Sequence, residues 1–422
     1  MGGEATEPAE GPGAGSPGAR LQLRRIVGRY GTDPDQPLRQ GPYQSPLRDE
    51  RLAAWLGATL GVLFTVCFVT GMFSHLQQHP LSWLPVPARP AGLFRITQGI
   101  HVAAGIASMP VLAAKLWIVW PRLLTSPPFR RLSQLVERIG VLALVAGGIF
   151  MVFSGIANIA QWYPWPFAFP AAHYWVAWIV MGAIVAHIGA KWATTREALR
   201  RPSRRPALAE ADPALSTLAE GRHVGLSRRG LLTTVAVAAG ALTVTTIGQT
   251  IDPLRRLALL APRDPSVGPQ GRPVNRSAAN AKVVGAATSD SYRFRVEGHV
   301  TRPLTFTMAQ LLAFPAHEAT LPIACVEGWS YTAVWRGVRV RDLLNSAGAP
   351  PDATAHVESL EANSPYRISF LDRSQAHDQD TLLATHLDGQ PLDLDHGFPL
   401  RLIGPDRAGV TQTKWITRLT VD

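Results

Sequence analysis

The stretch Leu321–Leu344, LPIACVEGWSYTAVWRGVRVRDLL, decides the fold of the last third of the chain and holds Cys325, one of two cysteines in 422 residues. The other, Cys67, lies in an apolar run and is typical of a small buried hydrophobic residue. No second cysteine or ordered Cys/His set accompanies Cys325, so the sequence predicts neither a disulfide nor a zinc site there. Three interpretations remain: a nucleophile, a single thiolate ligand to a cofactor metal, and an ordinary core cysteine.

Two sequence motifs, which follow one another in the last third of the chain, resemble those of a known family. CVEGWS at residues 325–330 is followed by Trp335, Gly337 and a leucine pair at 343–344, and a second run reads LLATHLDGQPLDLDHGFPLRLIGPDRAGVTQTKW from Leu382 to Trp415. They resemble the molybdenum-binding segment and the later HG.PLRL…KW segment of the sulfite oxidase family. The resemblance covers about residues 275–422 and implies an α+β, mixed-sheet molybdopterin-binding domain.

The resemblance also implies a cofactor site. Cys325 takes the place of the thiolate that ligates molybdenum beside the two sulfurs of the pterin, and the phosphate of the pterin needs cations and backbone N–H groups. By motif position the candidate cofactor-binding residues are His396, Arg401, Gln412, Thr413 and Lys414, with Asn275, Arg276 and Ser359 as further candidates. Trp329, Trp335 and Trp415 are expected in the core, and Glu327 either near the metal or in a salt bridge.

The substrate does not carry over from the resemblance. Residues 406–414, DRAGVTQTK, depart from the methionine-sulfoxide-reducing relatives, which have an aromatic residue and further lysines there. Only Arg367 and Arg373 can be placed as candidates for the substrate arginines of the vertebrate enzymes. The substrate is therefore expected to be a small molecule of open identity.

The distribution of charge argues against a nucleic-acid partner. The net charge is +11, but from Asn275 onward 14 Lys/Arg stand against 16 Asp/Glu. The basic excess lies upstream, between apolar runs. This pattern is typical of cytoplasmic loops and not of a phosphate-binding face.

Five apolar runs are each long enough to cross a bilayer, which takes about 20 residues. Lys and Arg are concentrated before the first run and in the loops after the second and fourth runs, and they mark the cytoplasmic side. We therefore predict a multi-pass protein of the bacterial cell membrane, with the N-terminus in the cytoplasm and the last domain outside it. The runs are Leu52–His75, Leu93–Trp120, Ile139–Ala160, Ala171–Trp192 and Leu231–Ile251.

The predicted organisation has six parts. Residues 1–50 are rich in Gly, Pro and Ala without apolar periodicity, which predicts a disordered cytoplasmic tail. The rest comprises a four-helix transmembrane domain (51–192) resembling cytochrome b, a cytoplasmic linker (193–226), a fifth transmembrane helix (227–251), an extracytoplasmic linker (252–274) and the molybdopterin-binding domain (275–422).

The fifth run begins with Ser227–Leu232, SRRGLL, which resembles an internal twin-arginine translocation signal. A domain that receives its pterin cofactor in the cytoplasm must cross the membrane folded, and this route allows that. The twin-arginine translocase is accordingly an expected partner. The alternative is an ordinary arginine pair that follows the positive-inside rule.

The first four runs contain an internal repeat. Val69-Thr70-Gly71 precedes His101, and Phe153-Ser154-Gly155 precedes His173 in the same arrangement. This resembles the two-helix repeat of b-type membrane cytochromes, in which histidines hold haem.

His101 and His173 are the predicted haem b ligands, because intramembrane ionisable residues are functional by default. His187 lies fourteen residues after His173, on nearly the same helix face, and is the alternative ligand. The position fourteen after His101 is Lys115, so a second haem site is incomplete. Counting residues along the apolar runs places His173 nearer the membrane surface than His101 by about 10 Å. The alternative is that no haem binds.

Together these features predict a membrane-anchored molybdenum-pterin oxidoreductase that acts outside the cytoplasm. It would transfer an oxygen atom to or from a small substrate and exchange electrons through its membrane domain with the quinone pool or a redox partner. The alternative is a membrane electron carrier whose last domain binds pterin or a partner without turnover.

Overall fold

The computed structural model describes residues 45, 47–81, 83, 84, 86–123, 132–200 and 226–422. Most of the predicted tail and residues 201–225 of the predicted linker lie outside the described residues. The described chain divides into two compact units. The first takes in the chain up to Gly61 with Pro110–Gly148 and Gly182–Val237; the second takes in Val62–Met109, Ile149–Met181 and Ala238–Asp422.

Five helices confirm the prediction of five apolar helical segments, and all five are long and apolar enough to cross a membrane. Leu, Val, Ala and Ile fill them, while ionised residues are concentrated at their ends, which is the composition that lipid tolerates. They are α1 (Glu50–Gln78), α2 (Leu93–Leu123), α3 (Leu132–Ile159), α4 (Phe169–Arg200) and α5 (Arg228–Ile247).

Within the first unit, the start of α5 has local contacts that account for its Ser-Arg sequence. The Ser227 hydroxyl accepts a hydrogen bond from the Gly230 N–H at 3.0 Å, as an N-cap serine does. Arg228 forms an ion pair with Asp49 at 3.0 Å. Two residues of the twin-arginine-like motif therefore have structural partners, whatever their role in export.

Within the second unit, a mixed five-stranded sheet forms the larger core. The strand order is β2-β1-β10-β5-β6, with β1 and β10 parallel and the other pairs antiparallel. Alternate residues such as Phe294, Val296 and Val357 point into the core and are fully buried. The strands are β1 (Phe294–Gly298), β2 (Leu304–Phe306), β5 (Ala355–Ser359), β6 (Ile368–Leu371) and β10 (Ile416–Val421).

A second sheet is wholly antiparallel and contains the two strands that flank Cys325. Its order is β3-β4-β7-β8, and β9 pairs with β7. Trp335, Leu321 and Ile323 fill the core of this sheet. The α+β, mixed-sheet prediction is confirmed. The strands are β3 (His317–Ala324), β4 (Ser330–Arg339), β7 (Leu382–Leu387), β8 (Gln390–Pro391) and β9 (Arg401–Ile403).

Short helices precede or connect the strands. One of them begins with a capping box in which Thr307 and Gln310 satisfy each other's backbone N–H groups. The short helices are α6 (Val284–Ala287), α7 (Met308–Leu312), α8 (Val340–Ala347) and α9 (Arg373–Ala376). The linker after α5 contains 3₁₀ turns at Gly248–Thr250, Asp252–Leu257 and Pro269–Gly271.

Candidate functional site

Cys325 lies in the turn between β3 and β4, residues Cys325–Trp329, here called the cysteine turn. The Cys325 N–H donates to the Trp329 carbonyl at 2.9 Å, and the Gly328 N–H donates to the Cys325 carbonyl at 3.1 Å. Gly328 has φ +88°, a conformation that side chains other than glycine rarely adopt. These constraints fix the direction of the cysteine side chain.

Burial decides which chemistry suits this thiol. Cys325 is 3% exposed. Burial raises the pKa of its thiol far above the ordinary value, and the nearby Glu327 carboxylate raises it further. A thiol held protonated in this way is a poor nucleophile at neutral pH. A metal ion reverses the effect, because coordination deprotonates the thiol outright. The surroundings therefore favour a metal ligand over a nucleophile.

The structure brings three of the predicted phosphate-binding residues together. The Arg401 guanidinium, on β9, donates from Nη1 to the His396 carbonyl at 3.1 Å and lies over the Trp335 ring at 5.4 Å. Lys414 Nζ donates to the Asp395 carbonyl at 2.9 Å. The His396 ring donates from Nε2 to the Pro269 carbonyl, 2.7 Å away.

The positive charge of this cluster is only partly balanced. Burial and the Arg401 charge lower the pKa of Lys414 to about 7 and that of His396 to about 4. Burial also lowers the pKa of Arg401 itself. Among the described residues, the Nε of Arg401 has no hydrogen-bond acceptor. The Asp395 and Glu361 carboxylates partly balance Lys414, whereas the buried Arg401 charge is costly, and a bound phosphate would offset that cost. The cluster therefore offers cations of the kind that the phosphate of a molybdopterin would need.

Gln412 and Thr413 are buried beside this cluster. The Thr413 hydroxyl is 2.6 Å from that of Ser369. Gln412 Nε2 donates to the Pro322 carbonyl at 3.4 Å, while its Oε1 is buried without a hydrogen-bond partner within the described chain. An amide oxygen in that state can accept a hydrogen bond from a pterin.

The remaining candidates contact the cluster through the backbone. The Ser359 hydroxyl donates to the Lys414 carbonyl at 2.8 Å and accepts from the Glu361 N–H at 3.0 Å. Arg276 pairs with Glu361 through its side chain, and its carbonyl accepts from Lys414 Nζ. Asn275 is exposed. Ser359 and Arg276 thus position Lys414, and direct contact of these three residues with pterin stays a prediction.

His101 and His173 come together in the second unit, although counting residues had separated them in depth. Their ring centroids are 6.2 Å apart with an interplanar angle of 72°. The His101 Nδ1 lies 2.9 Å from the Cys67 carbonyl, which can only accept, so this nitrogen carries the proton. The His173 Nδ1 lies 2.8 Å from the Ser154 hydroxyl, which itself donates to the Phe150 carbonyl. Both Nε2 atoms therefore carry the lone pair that a metal requires.

The repeat predicted from the sequence makes equivalent contacts in both hairpins. Each Ser/Thr hydroxyl faces a histidine Nδ1, Thr70 with His101 at 3.4 Å and Ser154 with His173. The glycine that follows each hydroxyl lies against the same ring. A Cβ at Gly71 would lie 2.9 Å from His101 Cε1, so a side chain there would collide with the ring. His187 belongs to the first unit.

Glu327 is buried and pairs with Arg263 of the linker at 3.0 Å, which confirms the salt-bridge interpretation, while its place near a metal stays a prediction. Sequence reasoning missed Tyr366 and Arg407. Burial raises the pKa of Tyr366, and the Cys325 thiolate adds to this effect. Arg407 is a buried guanidinium, whereas the predicted substrate arginines Arg367 and Arg373 are exposed. The tryptophans Trp329, Trp335 and Trp415 are core residues as predicted.

The last third of the chain has relatives among known proteins. Residues 280–422 match the family model described as the oxidoreductase molybdopterin binding domain. The last third of the chain is a molybdopterin-binding oxidoreductase domain.

The relatives of this domain are longer proteins. Sulfite oxidase from Gallus gallus is 34% identical over 166 residues, covering 33% of this chain and 36% of that protein. Inducible nitrate reductase [NADH] 2 from Glycine max is 36% identical over 169 residues, covering 33% of this chain and 19% of that protein. The crystal structure of the sulfane dehydrogenase SoxCD from Paracoccus pantotrophus is 27% identical, covers 31% of this chain and 38% of that one, and gives a TM-score of 0.29. The chain thus spans about a third or less of these two curated relatives.

Lys414→Gln should weaken cofactor retention roughly 10- to 100-fold, because one hydrogen bond to a charged group contributes about 1.5–3 kcal/mol. Since the pKa of Lys414 is about 7, the lysine is charged below pH 7 and loses its charge above it. Binding of a phosphorylated pterin to cofactor-free protein should therefore weaken as pH rises through 7 in the wild type, and this step should shrink in Lys414→Gln. Pterin fluorescence after dialysis at pH 6 and pH 8 measures this. Lys282→Gln, an exposed lysine of the same domain, is the matched control; equal retention in both variants would contradict the assignment.

Proposed function

We propose that the chain is a membrane-anchored molybdenum-pterin oxidoreductase that acts on a small molecule outside the cytoplasm. The observation that supports this most is the buried Cys325 in a molybdopterin-binding domain that also holds the partly balanced cationic cluster. When bound, molybdenum supplies a two-electron redox change coupled to oxygen-atom transfer. In the oxidising direction the substrate gains an oxygen atom from water and releases two protons and two electrons; in the reducing direction the balance is reversed.

The protein residues contribute ligation, charge and protons. Cys325 fixes the metal, and Arg401 and Lys414 hold the phosphate that orients the pterin. Burial raises the pKa of Tyr366. Its phenol therefore keeps its proton at neutral pH and can donate a hydrogen bond to a substrate near the cysteine.

The surface of the helices supports membrane anchoring. Val62, Leu142 and Ile179 are each at least 60% exposed although they are large and apolar. Water would disfavour such a surface, whereas hydrocarbon solvates it. Trp83 and Trp162, exposed in the loops after α1 and α3, are typical of a membrane interface. The Lys/Arg pattern then places the N-terminus in the cytoplasm.

Electrons exchange through the helices in this proposal, with haem b held by His101 and His173. The ring centroids lie 6.2 Å apart and both Nε2 atoms keep a lone pair, so the two imidazoles would supply nitrogen ligands to a haem iron. The final acceptor or donor is the quinone pool or a redox partner, and one quinone takes up two electrons and two protons to give the quinol, which balances the substrate reaction.

Full-length protein purified in detergent tests the proposal. Molybdenum and pterin are quantified, and turnover is measured with sulfite and ferricyanide, and with nitrate or a sulfoxide and reduced viologen. Molybdenum near one per chain with turnover of one of these substrates is the expected result. Bound molybdenum without turnover would leave the electron-carrier alternative, and a folded domain from molybdenum-replete cells that lacks molybdenum would refute the proposal.

Changing both Arg228 and Arg229 to Lys tests export. Lysine keeps the positive charge but lacks the guanidinium that a twin-arginine signal requires. The last domain should then stay in the cytoplasm, protected from protease added to spheroplasts. The single change Arg229→Lys, which leaves the Arg228–Asp49 pair intact, separates recognition from local structure. Normal export in a strain without the twin-arginine translocase would leave only the positive-inside explanation.

A further inference from the structure

The cysteine turn lies directly against helical segments of the same unit. Gln98 Nε2, on α2, donates to the Val326 carbonyl at 3.4 Å. A Cβ at Gly328 would lie 3.3 Å from Val102 of α2 and 3.4 Å from Ile247 of α5, so the turn packs closely against both helices. Gln98 and Val102 are one turn apart on one face of α2. His101 follows Gln98 by three residues, a rise of about 4.5 Å.

Glu327 ties the cysteine turn to two further segments. Its Oε2 accepts from Trp329 Nε1 at 2.8 Å and from Arg263 Nε at 3.0 Å, and its Oε1 accepts from Gln161 Nε2. Arg263 also donates from Nη2 to Gln161 Oε1 and from Nη1 to the Val274 carbonyl at 2.7 Å. The Glu327 network, defined as Glu327, Arg263, Gln161 and Trp329, thus joins the turn, the α3–α4 loop and the linker.

Contacts at the start of α2 reinforce this junction. The Asp406 carboxylate accepts from the Phe94 N–H at 2.6 Å and from Gln77 Nε2 at 2.8 Å. Arg95 Nη1 donates to the Thr332 hydroxyl at 3.0 Å. Phe94 packs against Ala324, the residue before the cysteine. These contacts hold the first turns of α2 against the end of β3, against β4 and against the segment that follows β9.

Gln161 shows that the network is built for this contact. It has φ +52°, in the left-handed region that a non-glycine residue occupies only when its surroundings hold it there. Its amide satisfies both partners at once, accepting from Arg263 and donating to Glu327. Both oxygens of the buried carboxylate are thereby paired, so the network is closed within one unit.

We infer that Glu327, Arg263 and Gln161 are positioning residues that fix the cysteine turn to the linker and the α3–α4 loop, beside α2 and one helical turn from His101, and so set the rate of electron exchange between the two cofactor sites. This inference rests on the proposed function, with molybdenum on Cys325 and haem on the histidine pair. Each exchange oxidises one site by one electron and reduces the other by one. Two exchanges complete the two-electron change of the substrate.

Arg263→Met in the full chain tests the inference with two measurements. The first is hydrogen exchange of the backbone amides of residues 325–329, which should be at least 10-fold faster than in the wild type. The second uses sulfite as the substrate probe and compares turnover with a short-chain quinone to turnover with ferricyanide, a dye that takes electrons at the protein surface. The quinone-to-dye ratio should fall at least 10-fold. Gln161→Leu should act in the same direction, and Arg263→Lys should recover part of both effects.

Arg255→Met is the matched control. Arg255 lies in the same linker, is partly exposed as Arg263 is, and pairs locally with Asp252 instead of Glu327. It should leave both measurements unchanged. Equal hydrogen exchange in Arg263→Met and the wild type would overturn the positioning role, with or without turnover. A parallel loss of dye-linked and quinone-linked rates would also overturn it, since the network would then support the molybdenum site alone. Absence of sulfite turnover in the wild type would count against sulfite as the substrate, and hydrogen exchange would still decide the inference.

Discussion

Cys325→Ser is expected to abolish molybdenum-dependent turnover while the domain still folds. A serine hydroxyl is smaller, hard and protonated at neutral pH, so it cannot replace a soft thiolate ligand. Losing only a hydrogen-bond partner of a metal ligand typically costs about 10–100-fold in affinity or activity, and loss of the ligand itself should exceed that. The fold should persist, because the turn is closed by backbone hydrogen bonds that serine leaves in place.

Dye-linked turnover and molybdenum content per chain measure this effect. The control lies within the same sample, because thermal unfolding of the domain and any haem absorbance should match the wild type. The pterin should remain partly bound, since Arg401 and Lys414 are untouched. Turnover within a factor of two of the wild type would mean that Cys325 is a core cysteine and that the catalytic metal is held elsewhere.

The clustering of Arg401, Lys414 and His396 could be predicted because these residues lie in two continuous motifs, whereas their contact with a cofactor stays a prediction. Arg401 and Lys414 were placed by their positions in DHGFPLR and QTKW, and the structure brings them together with His396. The motifs do not indicate the pKa values of these residues. The pKa of Lys414 depends on burial and on the neighbouring Arg401, both of which arise only after β9 and the segment before β10 come together.

Strand boundaries were harder to predict from side-chain preference. The preference of aromatic residues for extended structure favours strands that begin at Tyr292 and Tyr366. The structure begins these strands at Phe294 and Ile368. The Tyr292 hydroxyl instead donates to the Ile416 carbonyl, and the Tyr366 N–H donates to the Ser364 hydroxyl in a turn. Tertiary and turn contacts outweighed the local preference.

The junction around Glu327 was beyond sequence reasoning. Arg263 and Gln161 lie 64 and 166 residues from Glu327, in segments without periodicity. No local pattern indicates such partners, because a single arginine in a loop is usually a solvated charge. Sequence reasoning was limited in the same way for His101 and His173. Counting residues gives the depth of a residue in a membrane only if the residue at which each helix begins is known.

Under the proposed function, His101→Ala should remove haem, and His173→Ala should do the same. Each variant would lose one of the two imidazole ligands, and Ala leaves no replacement donor at this pair of rings, whose centroids are 6.2 Å apart. The Soret band and the reduced α-band after dithionite, with haem quantified per chain, measure this. His187→Ala, which removes the alternative ligand, should keep the bands.

Two further variants separate the haem from the molybdenum site and from simple misfolding. Cys325→Ser should keep full haem absorbance, because its side chain ligates neither iron nor a histidine. Ser154→Ala removes only the acceptor that fixes the tautomer of His173, so haem should bind with a shifted reduction potential. A wild type without any Soret band would exclude haem. A band that survives His101→Ala would place the ligands elsewhere, with His75 and His187 next to test. If haem is lost in both His101→Ala and His173→Ala but kept in His187→Ala and Cys325→Ser, the iron lies between α2 and α4. The cysteine turn contacts α2, one of these two helices.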